Sequence, residues 1–233
     1  VFDSAGTYLR SFGGYGGGCN QMAYPRQFQI FNDEIYIVNN GFSRISKLSL
    51  TGQCITSNFT SYTSPISIAV NDNYIFVGHT NNIISKYATA NLAQTGYQEM
   101  NYRNVNFVPG MSLNSAGNRL IVASWHTNKI AEYTVSGNNL TFVKAAGDIV
   151  SSANGKFHRA VDAAYDSSGN IYATDYYNHR IQKFNSSLVY QAKYGSYSKN
   201  SPFNYPYGIG IDSSDNIYVG DWSNHSIRKF NTS

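Results

Sequence analysis

One short pattern recurs five times along this chain: an apolar run, a tight polar turn, then a second apolar run closing on an aromatic residue or Leu. Its clearest copies are IYATDYYNHRIQKF at residues 171–184 and IYVGDWSNHSIRKF at 217–230. Looser copies occupy residues 34–48, 74–87 and 120–133. The isoleucine after the turn marks the register at Ile45, Ile84, Ile130, Ile181 and Ile227. Runs of this length, bounded by Asn, Asp, Ser and Gly, read as strands joined by turns.

A unit returning every ~40–50 residues with several short strands is the pattern of β-propeller blades. The fifth repeat serves as template, with a first strand over 206–212, a second over 217–220 and a third over 226–230. The fourth repeat adds an outer strand over 188–194, ending at Gly195. Blades are expected at approximately 25–60, 65–100, 108–147, 160–195 and 206–233, the last completed by 7–12, in a single domain spanning 1–233. The reason for that addition is that only Asn-Thr-Ser follows Phe230, so the fifth blade lacks an outer strand. Residues 1–13 are similar to 183–195, the end of a third strand followed by a fourth. The expected fold is therefore all-β, a five-bladed β-propeller. Its ring closes by pairing the N-terminal strand with the C-terminal blade, which removes an exposed edge.

Composition narrows the class. Hydrophobic residues at 42% and charged residues at 13% exclude a disordered chain. Seventeen Lys and Arg against 13 acids give +4, with no basic block of five or six, which permits an anionic partner without implying one. No apolar run approaches the ~18 residues of a membrane helix. No signal peptide is legible, and residue 1 is Val rather than Met, as in a processed or trimmed chain. Two cysteines, Cys19 and Cys54, flank the first repeat; they are a candidate bridge that their places in the repeat do not force. Sequons at Asn58, Asn139, Asn185, Asn224 and Asn231 are candidate glycosylation sites and lean towards an extracellular or cell-surface address.

The pattern P-x-G-I-x-x-D followed by IYV-x-D-x-x-N-H-R-I-x-K-F resembles the NHL repeat. Repeats four and five carry the resemblance through Asp175, Asn178, His179, Arg180, Asp221, Asn224 and His225. It is degenerate in the first three, where Asn39, Gly78 and Ser124 replace the aspartate, and Ser226 replaces the arginine of the fifth. Propellers of this family more often have six blades. The longest interval, from Ile130 to Ile181, leaves no room for a hidden sixth.

In such a repeat the Asp ending the second strand and the Arg opening the third are expected to pair across the turn. Asn178 and Asn224 suit the turn backbone, and His179 and His225 read as turn or packing residues. The aromatic residues beside these turns are less readily assigned to packing. Trp125, His126, Tyr176, Tyr177 and Trp222 fall on the same rim as the loops carrying Tyr24, Arg26, Phe107, His158, Arg159, Tyr205 and Tyr207. Flat rings with a few polar donors suit sugars, nucleobases or another protein.

Catalytic signals are thin, and no catalytic residue, metal site or cofactor is expected. Asp162 sits where repeats three and five have Gly110 and Gly208, but one carboxylate makes no cation cage. His79, His126 and His158 share the rim, yet lack short-range zinc-ligand spacing. The glycines at 13–18 lack the Lys-Ser and helix of a phosphate loop and read as a flexible loop.

The expected function is a non-enzymatic extracellular binding or assembly module: an adhesin, a lectin-like unit or a surface-polymer subunit. Its aromatic face would take a protein or a carbohydrate. The chain itself is a further candidate partner, in a homopolymer made by donating residues 7–12. Two alternatives stand beside it. The resemblance implies single-stranded RNA binding through Arg26, Arg159 and the rim rings. A propeller lyase or lactonase would need a metal in the channel.

Overall fold

The computed structural model describes residues 1–3, 6–101, 105–137, 139–198 and 201–231, so the last two residues expected in blade five lie outside it. Blade one is β1 (Pro25–Phe31), β2 (Glu34–Asn39), β3 (Arg44–Ser49) and β4 (Cys54–Phe59). Blade two is β5 (Pro65–Val70), β6 (Tyr74–His79), β7 (Ile83–Ala88) and β8 (Gln94–Glu99). Blade three is β9 (Met111–Leu113), β10 (Arg119–Ser124), β11 (Lys129–Ser136) and β12 (Asn139–Gly147). Blade four is β13 (Ala160–Tyr165), β14 (Ile171–Asp175), β15 (Arg180–Phe184) and β16 (Tyr190–Gly195). Blade five is β17 (Pro206–Ile211), β18 (Ile217–Asp221) and β19 (Ser226–Phe230). Each sheet is an antiparallel meander in chain order. The first strands pack on one another in succession around the axis, β1 on β5, β5 on β9, β9 on β13 and β13 on β17. This is the five-bladed β-propeller that the repeat predicts.

Burial explains why the strands read differently. A second strand lies between two neighbouring blades, so both its faces are covered, and β14 is buried throughout. Such strands appear as continuous apolar runs rather than alternations. Fourth strands face solvent on one side, and β8 alternates between exposed and half-buried residues accordingly. Side-chain bonds add to the apolar contacts between blades. Gln27 Oε1 accepts the Ile68 N–H at 2.8 Å, Ser67 Oγ donates to the Val108 carbonyl at 2.7 Å, and Asp162 Oδ2 accepts the Ile209 N–H at 3.1 Å. Cys19 and Cys54 form a disulfide that ties the loop before β1 to β4.

Ring closure differs from the expectation. The fifth sheet has three strands, and among the described residues none pairs with the outer edge of β19. Residues 7–12 instead fold back on the chain's first residues: Phe2 and Tyr8 form an antiparallel bridge, and Leu9 N–H donates to the Val1 carbonyl. The hairpin leans on blade one, where Arg10 Nη2 donates to the Leu50 carbonyl at 3.0 Å and Phe12 packs against Ile35, Ile37 and Leu48. The physical reason lies in the segment's own composition. It carries the end of a third strand as well as a fourth, so its fourth strand already has a partner.

Candidate functional site

A backbone device repeated in all five blades builds the rim. A residue at the entry to each first strand adopts a left-handed conformation: Tyr24, Ser64, Arg159 and Tyr205 directly before β1, β5, β13 and β17, with φ of 55°, 55°, 68° and 58°, and Phe107 four residues before β9, with φ of 60°. None is glycine, although L side chains adopt this region at a cost. In return the local carbonyls reach the turns between second and third strands. The Tyr176 N–H donates to the Arg159 carbonyl, Tyr177 N–H to His158, Trp222 N–H to Tyr205 and Trp125 N–H to Phe107, at 3.1, 3.1, 3.3 and 3.2 Å. In blades three, four and five the inner loop is thus zipped to the turn beside it, and the side chains of both emerge on one face.

On that face ten of the twelve rim residues expected from the sequence, all but Tyr24 and Arg26, form one cluster connected by ring and cation–π contacts and centred on the buried ring of Tyr176. Its centroid lies 5.3 Å from Trp125, 4.9 Å from Tyr177, 4.9 Å from Tyr205, 6.0 Å from Tyr207 and 5.9 Å from Trp222. His158 lies 4.6 Å from Tyr177. His126 joins through Phe107, which touches both it and Trp125. The Arg159 guanidinium lies over the Trp125 ring, 5.5 Å from the centroid, and Nη1 donates to the Trp125 carbonyl at 3.1 Å. Tyr177, Tyr207 and Trp222 remain exposed, the last at 59%. Trp222 and Tyr207 border a cleft of about 710 Å³ that also meets Arg26 and Ile227. Arg26 and Tyr207 further line a smaller cavity of about 290 Å³ at the channel mouth, with Ile66 and Phe107.

Buried polar networks hold these loops still. Arg180 Nε donates to Asp175 Oδ2 at 2.7 Å, the expected pair, and both side chains are buried. The same guanidinium donates to the carbonyls of Ser152, Ala153 and Lys156, while Asp175 Oδ1 accepts the His158 N–H at 2.7 Å. One ion pair therefore fixes the loop that carries His158 and Arg159. In blade five Asp221 Oδ1 likewise accepts the Asn204 N–H, but its cation is Arg228, two residues beyond the expected position. Period-two geometry places Arg228 on the same face of β19 as Ser226, so the guanidinium still reaches the carboxylate.

The histidines have local work. His179 Nδ1 accepts the Tyr205 N–H at 3.2 Å, and its ring packs 4.4 Å from Tyr205 and 5.0 Å from Tyr197. It is thus a positioning residue for the aromatic face. Burial holds its pKa below the usual histidine value. His126 is depressed too, by burial and by the Arg159 charge. His79 departs from the alignment. The turn after β6 is one residue shorter than its counterparts, so His79 pairs with Pro65 as Asp175 pairs with Ala160. It occupies the place of the aspartate, which the alignment gave to Gly78. Fully buried, it bonds the Thr63 carbonyl and Ser85 Oγ.

Asp162, the channel carboxylate, accepts two backbone N–H groups, from Ala163 and Ile209. Among the described residues no group of three or more His, Cys, Asp or Glu is placed to hold a metal ion.

The comparisons with known proteins agree with this architecture. The NHL repeat matches the chain at residues 157–184 and 203–230, the fourth and fifth copies of the pattern. The chain is therefore a β-propeller whose fourth and fifth blades match the NHL repeat. The fold is widespread, with 1486 chains of solved structures matching. One is in the crystal structure of a nidogen/laminin complex, at TM-score 0.65 and 16% identity over 86% of this chain and 72% of that one. That likeness concerns the fold. No curated protein sequence matches.

Proposed function

We propose that this propeller is a non-enzymatic extracellular binding module whose aromatic face grips a protein or a carbohydrate. The observation that carries this reading is the ring cluster around Tyr176, with Tyr177 exposed and with Trp222 and Tyr207 exposed beside a cleft edged by Arg26. Exposed rings held by a rigid scaffold lose little entropy when a partner lands on them. Faces of sugar rings and apolar side chains of proteins both stack on such rings, and Arg26 supplies a donor at the edge.

The disulfide supports an oxidising, extracellular setting. The likeness to a propeller crystallised in a protein–protein complex is consistent with a binding role. Of the sequons, Asn139 and Asn231 have exposed side chains. Asn58 and Asn224 use their Nδ2 groups on the Leu92 carbonyl and Asp221. We assign glycan attachment to the first two, since a sugar on either of the others breaks an internal bond.

The test is a screen of the purified protein against an array of extracellular glycans and matrix proteins. Binding that survives moderate salt and disappears in Trp222→Ala supports the reading. Binding only to single-stranded RNA, falling steeply with salt, replaces it.

A further inference from the structure

One position of the repeat supplies the channel mouth. Two places after the left-handed residue of each blade stand Arg26, Ile66, Pro109, Val161 and Tyr207. Arg26, Ile66, Pro109 and Tyr207 line the cavity of about 290 Å³ there. Aliphatic side chains, a proline and a ring serve this position in four blades, so packing around the axis asks for no charge. The guanidinium of blade one is an exception without structural work: among the described residues Arg26 makes no hydrogen bond or ion pair. It is exposed, and its charge reaches the phenol of Tyr207 in the same cavity.

The carboxylates nearest this face have other partners. Asp175 and Asp221 are buried and engaged by Arg180 and Arg228. Asp162 accepts the Ala163 N–H on one oxygen and the Ile209 N–H on the other. Arg159, the other arginine expected on the rim, lies over Trp125 and bonds its carbonyl. The rest of the cavity is mixed in character. Phe107 and Tyr207 offer ring surface, while Asn40, Ser64 and Thr80 offer polar groups. Asn40 is held in place by donating from Nδ2 to the Pro65 carbonyl at 3.1 Å.

We infer that the channel mouth is a subsite for one uronic acid residue of an acidic glycan, with Arg26 receiving its carboxylate. The inference rests on the aromatic-face reading above and narrows its ligand to a charged carbohydrate. A uronic residue carries a planar carboxylate, several hydroxyls and an apolar C–H face. The guanidinium fork matches the first, Asn40, Ser64 and Thr80 the second, and the Tyr207 and Phe107 rings the third. Neighbouring sugars pass over Tyr207 into the cleft beside Trp222, because Arg26 and Tyr207 line both spaces. An acidic side chain of a protein also brings a carboxylate, but it leaves the neutral polar groups of the cavity without partners. A polynucleotide brings a charge at every step and calls for a row of cations, where the mouth offers one.

The test is isothermal titration calorimetry with oligogalacturonate, oligomannuronate and oligoglucuronate, each beside its carboxyl-reduced neutral form, and with polyglutamate and poly(U). At least one uronate is expected to bind at least about ten-fold tighter than its neutral form. Arg26→Gln should bring the two forms to equal affinity with Tm unchanged, since Arg26 holds nothing in the fold. Arg26→Lys keeps the charge without the fork and should fall between. Trp222→Ala should weaken both forms alike. Equal binding of acidic and neutral forms by the parent, or an acid preference that persists in Arg26→Gln, overturns the inference. In either case, loss of both forms in Trp222→Ala leaves the aromatic-face reading standing. Tighter binding of polyglutamate or poly(U) than of every uronate overturns the inference as well, and so does the absence of any uronate binding.

Discussion

Asp162 binds blade four to blade five by accepting the Ile209 N–H at 3.1 Å, in the place where Gln27 binds blade one to blade two through the Ile68 N–H at 2.8 Å. A charged side chain and a neutral one do the same job, so the charge is incidental to the role. Burial pushes the Asp162 carboxyl up to about 7, against the pull of its two N–H donors. In the unfolded chain it ionises near 3.8. The folded state therefore holds a proton that the unfolded state has lost between these values, and stability falls as pH rises through that window. The loss is on the order of 4 kcal/mol. Asp162→Asn removes the ionisation. Urea unfolding of both proteins should show the variant gaining on the parent between about pH 4 and about pH 8.

His79 shifts stability in the opposite direction. Its burial lowers the ring pKa to about 4 from a usual 6.5. Below pH 6.5 the unfolded chain takes up a proton that the folded protein refuses. Its contribution is complete above that value and is lost as pH falls towards 4, by about 3 kcal/mol. His79→Asn places at this position the residue found in blade one and should flatten the acid side of the stability profile, read by thermal melts from pH 7 downward.

The two arginine pairs differ in burial, and so should their deletions. Arg180 is buried with Asp175 and holds three loop carbonyls, so Arg180→Ala should cost about 3–5 kcal/mol. The Arg228 side chain is 38% exposed, and Arg228→Ala should cost nearer 1 kcal/mol. Chemical denaturation of the two variants separates these outcomes. Equal costs would mean that burial does not set the strength of the pair.

Much of this was legible in the sequence because the repeat supplies its own alignment. Strand order, the Asp175–Arg180 pair and the meeting of Trp125, Tyr176 and Trp222 follow from position within the repeat. What failed was of another kind. Similarity of residues 1–13 to 183–195 identifies a fourth strand, but position within a repeat does not say which neighbour that strand meets, and closure onto β19 was misread. His79 was misplaced because an alignment without gaps does not register a turn shortened by one residue. Arg228 was missed because a side chain two residues along a strand reaches the same partner, which motif matching ignores. The Cys19–Cys54 bridge depends on loop geometry that the repeat does not encode.

The central claim is that the ring cluster around Tyr176 is a binding surface, and its most direct test compares three proteins on the strongest partner from the glycan and matrix-protein array. These are the parent, Trp222→Ala, and Tyr97→Ala, which removes an exposed ring on the outer strand of blade two away from the face. Half-saturation for Trp222→Ala should rise by at least about ten-fold with Tm unchanged, while Tyr97→Ala binds like the parent. Equal binding by all three would contradict the claim.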